Sequence, residues 1–365
     1  MTVNQDSFAT ILWEALMRME KRKIGFSGFE GYWPGFNKEK NLFTEILRER
    51  YEIEVSDDPD YLIVSPLGAP FSYMKYDCVR ILYTGEPLIP DFNVFDYAIG
   101  FDYLTVPDMK GYNRYYRFPL CFYDVKRVKE LSRGLTLQEA RDALQEKKYF
   151  CNFIYSHPSA KGEREEILKA LQSYKRVECA GTFLNNLPDG KAVQYPDGKE
   201  LFLRLCKFTI ACESVSYPGF ITEKIMHPIF ANSIPIYFGN PRANEEFNSD
   251  AMIILNKESS FDEAIEKVIR IDQDDEKYIK MLMAPKLISD SYLDTIYEGL
   301  KQFLFHIFDQ DRENAYRRLR LYIQGEHEFF LKDYSVFYGS QEYKIMRKML
   351  RLHRRVNRHL KRTRP

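Results

Sequence analysis

The chain has no apolar run of the length needed to cross a bilayer. Its first residues also lack a basic region followed by an apolar stretch and a small-residue cleavage site, so neither a membrane span nor a secretion signal is expected. The six cysteines (Cys78, Cys121, Cys151, Cys179, Cys206 and Cys212) are scattered, and no pair has CxxC spacing. Several lie inside apolar runs such as FCNFIY and RLCKFTIACE, which fits small core residues in a reducing cytoplasm and leaves no structural zinc site. Tryptophan is scarce, two residues against 26 Tyr and 27 Phe, so the aromatic mass is expected mostly in the core, with some rings available to a sugar-binding cleft. Also missing are a P-loop, a GxGxxG turn, an HExxH helix, a Ser/His/Asp order and a well-spaced DxD pair. A P-loop kinase, a hydride-transfer enzyme, a zinc hydrolase and a metal-bridged diphosphate all lose ground accordingly. Asp57-Asp58, the nearest approach to such a pair, stands in a charged turn.

Net charge is absent as well, with 53 Lys and Arg against 53 Asp and Glu, which argues against a dedicated nucleic-acid binder. The zero hides a segregation. Residues 341–365 carry ten basic side chains and one acidic one, Glu342, leaving 43 basic against 52 acidic in the rest. Within this tail Ile345, Met349, Leu352, Val356 and Leu360 recur at helical spacing, one apolar stripe opposite the cations. Such a helix suits an anionic membrane surface; a solvated tail, or one touching nucleic acid without specificity, has the same composition.

At 365 residues the chain is long enough for two domains, each with its own core. Short apolar runs at 23–29, 60–64, 79–83 and 97–100, separated by helix-length segments, predict an α/β fold with a parallel sheet. After a charged, helix-forming stretch at 125–148 the pattern restarts. Strands are expected at 150–156, 176–180, 208–212 and 234–237, with helices over 162–174, 222–232 and 261–271. Residues 300–323 read as helical and 326–338 as unusually aromatic. A short helix is expected within 1–22. Two such sheets face a cleft at their carboxyl ends, where open α/β proteins bind ligands.

The densest chemistry lies in Ser216–Pro241, SYPGFITEKIMHPIFANSIPIYFGNP. Thr222 is a natural N-cap ahead of Glu223 and Lys224, and a glycine turn feeding a helix N-terminus suits a diphosphate. A lysine in a first turn opposes the helix dipole, and its presence makes better sense beside an anion. Both residues could equally be surface groups of an ordinary helix. Glu86, in Tyr83-Thr84-Gly85-Glu86-Pro87, stands just past a buried strand on a Gly-Pro bounded turn, where a carboxylate could act as a general base or simply be solvated. His157 follows another strand and is equally readable as structural. Tyr103, Tyr112, Tyr115 and Tyr116 could stack on sugar faces or pack.

These segments together resemble the α-1,3/4-fucosyltransferases of glycosyltransferase family 10, bacterial type. GFITEKI followed by IPIYFG resembles the donor motif of that family, and DYLIVSPLGA, RILYTGEPLIPDFNVFDYAIGFD and YRFPLCF resemble the N-terminal half of its bacterial members. The resemblance implies a GT-B fold, two Rossmann-like domains facing across a cleft: 1–145 for the acceptor, 146–304 for GDP-fucose, then a helical, aromatic segment 305–340 and the basic tail 341–365. It implies an inverting enzyme that moves L-fucose from GDP-β-L-fucose to the 3-OH or 4-OH of N-acetylglucosamine in a β-galactosyl-N-acetylglucosamine acceptor, making Lewis-type glycans of the lipopolysaccharide kind. No metal or other cofactor is expected, nor a nucleic-acid partner, and the tail would hold the enzyme on the inner face of the membrane. By position Glu86 matches the catalytic base, and Glu223, Lys224, Phe220, Thr222, Ser214, Arg164 and Asn185 match donor contacts. Tyr103, Tyr115 and Tyr116 are candidates for the acceptor. Ser214 stands where the family usually has asparagine, Phe220 where tyrosine is commoner, and Leu184 at about the place of a phosphate-contacting arginine, a role left to Arg164 or Arg204. A GT-B transferase with another donor or acceptor, or a non-catalytic membrane-associated sugar-binding protein, remains compatible with the residues.

Overall fold

The computed structural model of the chain describes residues 19–29, 35–159, 161–194, 196–255, 261–318 and 322–362, with side chains described through 318 and over 326–357. Of the segment expected to hold a short helix, residues 1–18 lie outside the described residues and Lys21 and Arg22 begin a strand; the side chain of the stripe residue Leu360 also lies outside.

The first sheet contains β1 (Lys21–Ser27), β2 (Glu52–Val55), β3 (Tyr61–Val64), β4 (Val79–Tyr83), β5 (Tyr97–Gly100) and β6 (Tyr115–Arg117), ordered β2-β1-β3-β4-β5-β6. The second contains β7 (Tyr149–Phe153), β8 (Val177–Cys179), β9 (Cys206–Cys212), β10 (Ile234–Phe238) and β11 (Ile253–Leu255), ordered β11-β10-β9-β7-β8. All strand pairs in both are parallel. The interior strands β3, β4, β5 and β10 are buried along their whole length, which is why they read as unbroken apolar runs. In each sheet the strand order reverses, between β1 and β3 and between β7 and β9, and the crevice at the carboxyl end of such a reversal is the binding place of doubly wound folds.

The helices are α1 (Leu42–Leu47), α2 (Val125–Leu131), α3 (Leu137–Gln145), α4 (Glu163–Gln172), α5 (Asp197–Arg204), α6 (Glu223–Phe230), α7 (Phe261–Asp272), α8 (Asp275–Met283), α9 (Tyr292–Phe308), α10 (Arg312–Ala315), α11 (Tyr322–Gly339) and α12 (Gln341–Arg362). Ala140 and Ala143 of α3 belong to the second core, with Cys151 and Ile167. Helix α9 returns to the first domain: Leu304, Ile307 and Phe308 share a core with Ile24 and Tyr61, Tyr61 stacks on Phe308 at 4.4 Å, and Tyr51 Oη donates to Asp309 at 2.5 Å. The span 300–323, expected to be helical, holds the end of α9, the short α10 and the first residues of α11.

The aromatic segment forms α11, pinned to the first domain by Glu328, which accepts from Arg80 at 2.8 Å and lies 3.4 Å from Arg318. The amides of Arg317 and Arg318 both donate to the buried Asp96. The basic tail is helix α12, and Ile345, Met349, Leu352 and Val356 are 48–64% exposed. Among the described residues no helix is long and apolar enough to cross a membrane.

Candidate donor pocket and facing carboxylate

Chain order places a cavity of about 270 Å³ at the reversal between β7 and β9. Right-handed crossovers put α4 on one face of the second sheet and α5 and α6 on the other. The cavity lies along the α5/α6 face and at the carboxyl edge, lined by Tyr155, His157, Arg164, Lys199, Glu223, Lys224 and His227 among others.

Arg164, from α4, reaches across that edge. Its Nη1 donates to His157 O at 3.1 Å and its Nη2 to Cys212 O at 3.3 Å, while the guanidinium lies 4.2 Å from the ring centre of Tyr155. The residue is 6% exposed, and its buried Nε has no hydrogen-bond partner among the described residues. Arg204, the other candidate, is exposed on α5 away from the cavity.

At the start of α6 the structure supplies the anion that a first-turn lysine calls for. Glu213, one residue past β9 and 1% exposed, accepts Thr222 N at 2.7 Å and Thr222 Oγ1 at 2.8 Å; Lys224 Nζ lies 3.3 Å from its second oxygen and 3.0 Å from Thr222 Oγ1. Thr222 Oγ1 in turn caps Lys224 N, a cap worth about 1 kcal/mol in helices generally. Part of the helix N-terminus expected to face a diphosphate is thus already satisfied by an internal carboxylate. Burial pushes the Glu213 carboxyl up, partly offset by Lys224 and Thr222. Burial works against the Lys224 ammonium, but Glu213 and Glu223 outweigh it and hold its pKa above the usual lysine range. The Glu223 carboxyl is likewise opposed by burial yet ends below its ordinary value, because Lys224, His227 and Lys199 surround it. His227, on α6 one turn beyond Glu223, sits with Nδ1 at 3.0 Å from Lys199 Nζ; burial and the neighbouring Lys199 lower its pKa to about 4.

The remaining expected donor contacts separate from this pocket. Thr222 acts through the cap just described. Phe220 is 1% exposed and edge-packed on Phe101 at 5.3 Å, so its ring is an interdomain core residue. Ser214 is exposed and outside the lining. Asn185 spends its side chain on its own loop, donating to Gly181 O and accepting from Leu187 N. Leu184, 49% exposed, takes a left-handed backbone (φ 56°), a costly conformation for leucine.

Glu86 follows β4 on the first sheet, in a turn closed by Thr84: Glu86 N donates to Thr84 Oγ1 and the hydroxyl donates back to Glu86 O, both at 3.1 Å. It is half-buried, and among the described residues no group donates to its carboxylate. The neighbouring strand ends β5 and β6 hold the loop that leads into α6. Gly219 (φ +83°) approaches Phe101 O so closely that a Cβ would collide with it, and Arg117 Nη2 donates to Gly219 O at 3.1 Å. Tyr217 Oη also donates to Asp102 Oδ2 at 3.2 Å. Glu86 and the α6 loop therefore share one interdomain cleft edge.

Of the three candidate acceptor tyrosines, only Tyr103 is exposed, with the guanidinium groups of Arg117 and Arg242 over its ring at 4.4 and 4.1 Å. Tyr115 is buried, its hydroxyl accepting from Asp102 N, and Tyr116 is clamped under α9, donating to Ile296 O and stacked on Phe303. Both are packing residues, a correction to their expected role. Sequence reasoning missed Glu213, Lys199 and His227. Glu213 had a local signal, a carboxylate directly after a buried strand; the other two had none.

Two doubly wound domains that face each other, with an anion-suited pocket on one and a carboxylate on the other, constitute a GT-B glycosyltransferase architecture. Residues 27–123 match the family model described as Alpha-(1,3)-fucosyltransferase FucT N-terminal domain, and residues 144–283 match Glycosyltransferase family 10 (fucosyltransferase) C-term. The chain belongs to glycosyltransferase family 10, the fucosyltransferases. It is 32% identical over 288 residues to the Helicobacter pylori alpha-(1,3)-fucosyltransferase FucT, covering 70% of this chain and 55% of that protein. It is 34% identical over 112 residues to alpha-(1,3)-fucosyltransferase B of Drosophila melanogaster, covering 28% and 25%. The chain thus spans about half or less of the length of these curated relatives. A crystal structure of an alpha1,3-fucosyltransferase superposes with a TM-score of 0.60 at 25% identity, covering 78% of this chain and 90% of that one.

Proposed function

We propose that this chain transfers L-fucose from GDP-β-L-fucose to the 3-OH or 4-OH of N-acetylglucosamine in a β-galactosyl-N-acetylglucosamine acceptor, with inversion at the anomeric carbon. The reading is supported by the convergence of Arg164, Glu223 and Lys224 on one pocket of the second domain, and by Glu86 on the first domain, whose carboxylate accepts from no group among the described residues. In the displacement, the acceptor oxygen bonds to C1 of fucose, its proton passes to the Glu86 carboxylate, and the bond from C1 to the β-phosphate oxygen breaks with its electron pair leaving on GDP. Lys224 and Arg164 offset the charge that grows on the β-phosphate, a preorganised electrostatic contribution of about 3 kcal/mol per interaction. The reading assigns this work to these cations and takes no divalent metal. Glu223, acceptor-only when ionised, suits a ribose or fucose hydroxyl.

The further proposal is that the enzyme works at the inner face of a membrane on Lewis-type, lipid-linked glycans. Support comes from the exposed apolar stripe of α12 opposite its cations, and from Phe329, Phe330 and Val336 exposed on α11 beside it. The test of the reaction is acceptor-dependent GDP release with EDTA present, comparing GDP-fucose with UDP- and ADP-sugars over a panel of lactosamine acceptors. Turnover confined to GDP-fucose is expected; turnover with another donor, or none with any, overturns the reading.

A further inference from the structure

Arg164, Lys199 and Lys224 line a cavity of about 270 Å³ in which Glu223 is the single lining carboxylate. Glu213, behind Lys224, is engaged with Thr222 and the α6 N-terminus. The three cations come from three helices on both faces of the sheet, so none is there by accident of one amphipathic surface. Gathering them costs mutual repulsion: Lys224 pushes the Lys199 ammonium in the same direction as burial does. Lys199 is positioned by His227, whose Nδ1 lies 3.0 Å from Nζ, where a neutral imidazole accepts. A second observation pointing to an anion site is Arg164 Nε, a buried guanidinium donor without a partner among the described residues.

We propose that Lys199, positioned by His227, is a ligand of the donor's diphosphate and supplies from α5 the cation that the 181–187 loop, with Leu184, does not. This rests on the reading that the pocket takes a nucleotide sugar, and extends it to two residues outside the donor motif. Arg164 meets the anion from one face of the sheet and Lys199 and Lys224 from the other, so the phosphates sit at the carboxyl edge between β7 and β9.

The experiment is calorimetric titration of the full chain with GDP and with guanosine, for wild type, Lys199→Met, Lys199→Arg and His227→Gln. Lys199→Met keeps most of the stem and removes the charge. It is expected to weaken GDP about 10- to 100-fold while leaving guanosine within about twofold, since one charge-assisted hydrogen bond is lost. Lys199→Arg should restore most of the loss. His227→Gln should raise KM for the donor severalfold with little change in kcat. Equal weakening of GDP and guanosine, or no rescue by arginine, overturns the proposal by making Lys199 a packing residue; so does unchanged GDP affinity in Lys199→Met. Repeating the titrations with UDP and ADP separates the two levels. If one of these binds in place of GDP and still depends on Lys199, the phosphate ligand stands and the GDP-fucose reading falls.

Discussion

Arg117 and Glu246 join the two domains: the guanidinium on β6 donates to both oxygens of the carboxylate, at 2.7 and 3.2 Å, and the same arginine holds Phe101 O and Gly219 O. Glu246 also accepts from Tyr292 Oη at 2.9 Å. One side chain therefore ties the first sheet, the loop before α6 and the start of α9.

Removing Arg117 leaves a carboxylate 2% exposed without its charge partner. Arg117→Ala is expected to destabilise by about 3 kcal/mol or more, and adding Glu246→Gln should recover part of it. Urea unfolding measures both. A double variant no more stable than the single one would show that the pair is not coupled.

Glu86→Ala is expected to reduce transfer about 10²- to 10⁴-fold, the usual worth of a general base, with GDP affinity unchanged. Steady-state rates and GDP titration on the same protein check this. Full activity in that variant would sink the assignment of the base.

His227 carries the pH prediction. Its ordinary value of 6.5 falls to about 4 in the fold, because burial, Lys199 and Lys224 disfavour the imidazolium more than Glu223 favours it, with Arg127 of α2 adding to the cations. The unfolded chain then binds the proton first as pH falls, so this group's contribution to stability is complete above about pH 6.5 and is lost toward pH 4. Thermal melts of wild type and His227→Gln should diverge in slope across that window. Parallel curves would refute the assignment.

Deleting 341–365 should release the protein from vesicles containing anionic lipid while leaving transfer to a soluble acceptor within about twofold, because α12 packs mainly on α11. Co-sedimentation with vesicles is the measurement, and unchanged binding would contradict the membrane role of the tail.

Eight of the strands and the resemblance to the donor motif were legible in the chain. Runs such as Tyr61–Val64 and Val79–Tyr83 are apolar throughout because both faces of an interior parallel strand are covered. The strands not foreseen, β2, β6 and β11, are all sheet edges; Glu52–Val55 and Tyr115–Arg117 carry charge and partial exposure, so no apolar run marks them. Helices α5 and α8 were passed over for the same reason, being short and polar on their outer faces.

Local residue order alone determined the alternation of strand and helix, the Thr222 cap and the segregation of charge into the tail, since each depends on neighbours a few positions apart. Tertiary structure decided the rest. Glu213 meets Lys224 across 11 residues, Lys199 meets His227 across 28, and Arg117 meets Glu246 across 129. No spacing rule connects such positions, because the contacts exist only once parallel crossovers bring separate helices and loops to the same carboxyl edge. Burial then assigned the roles. The ring of Phe220 and the phenols of Tyr115 and Tyr116 went into packing, while Arg164, with one donor unmatched, was left facing the pocket.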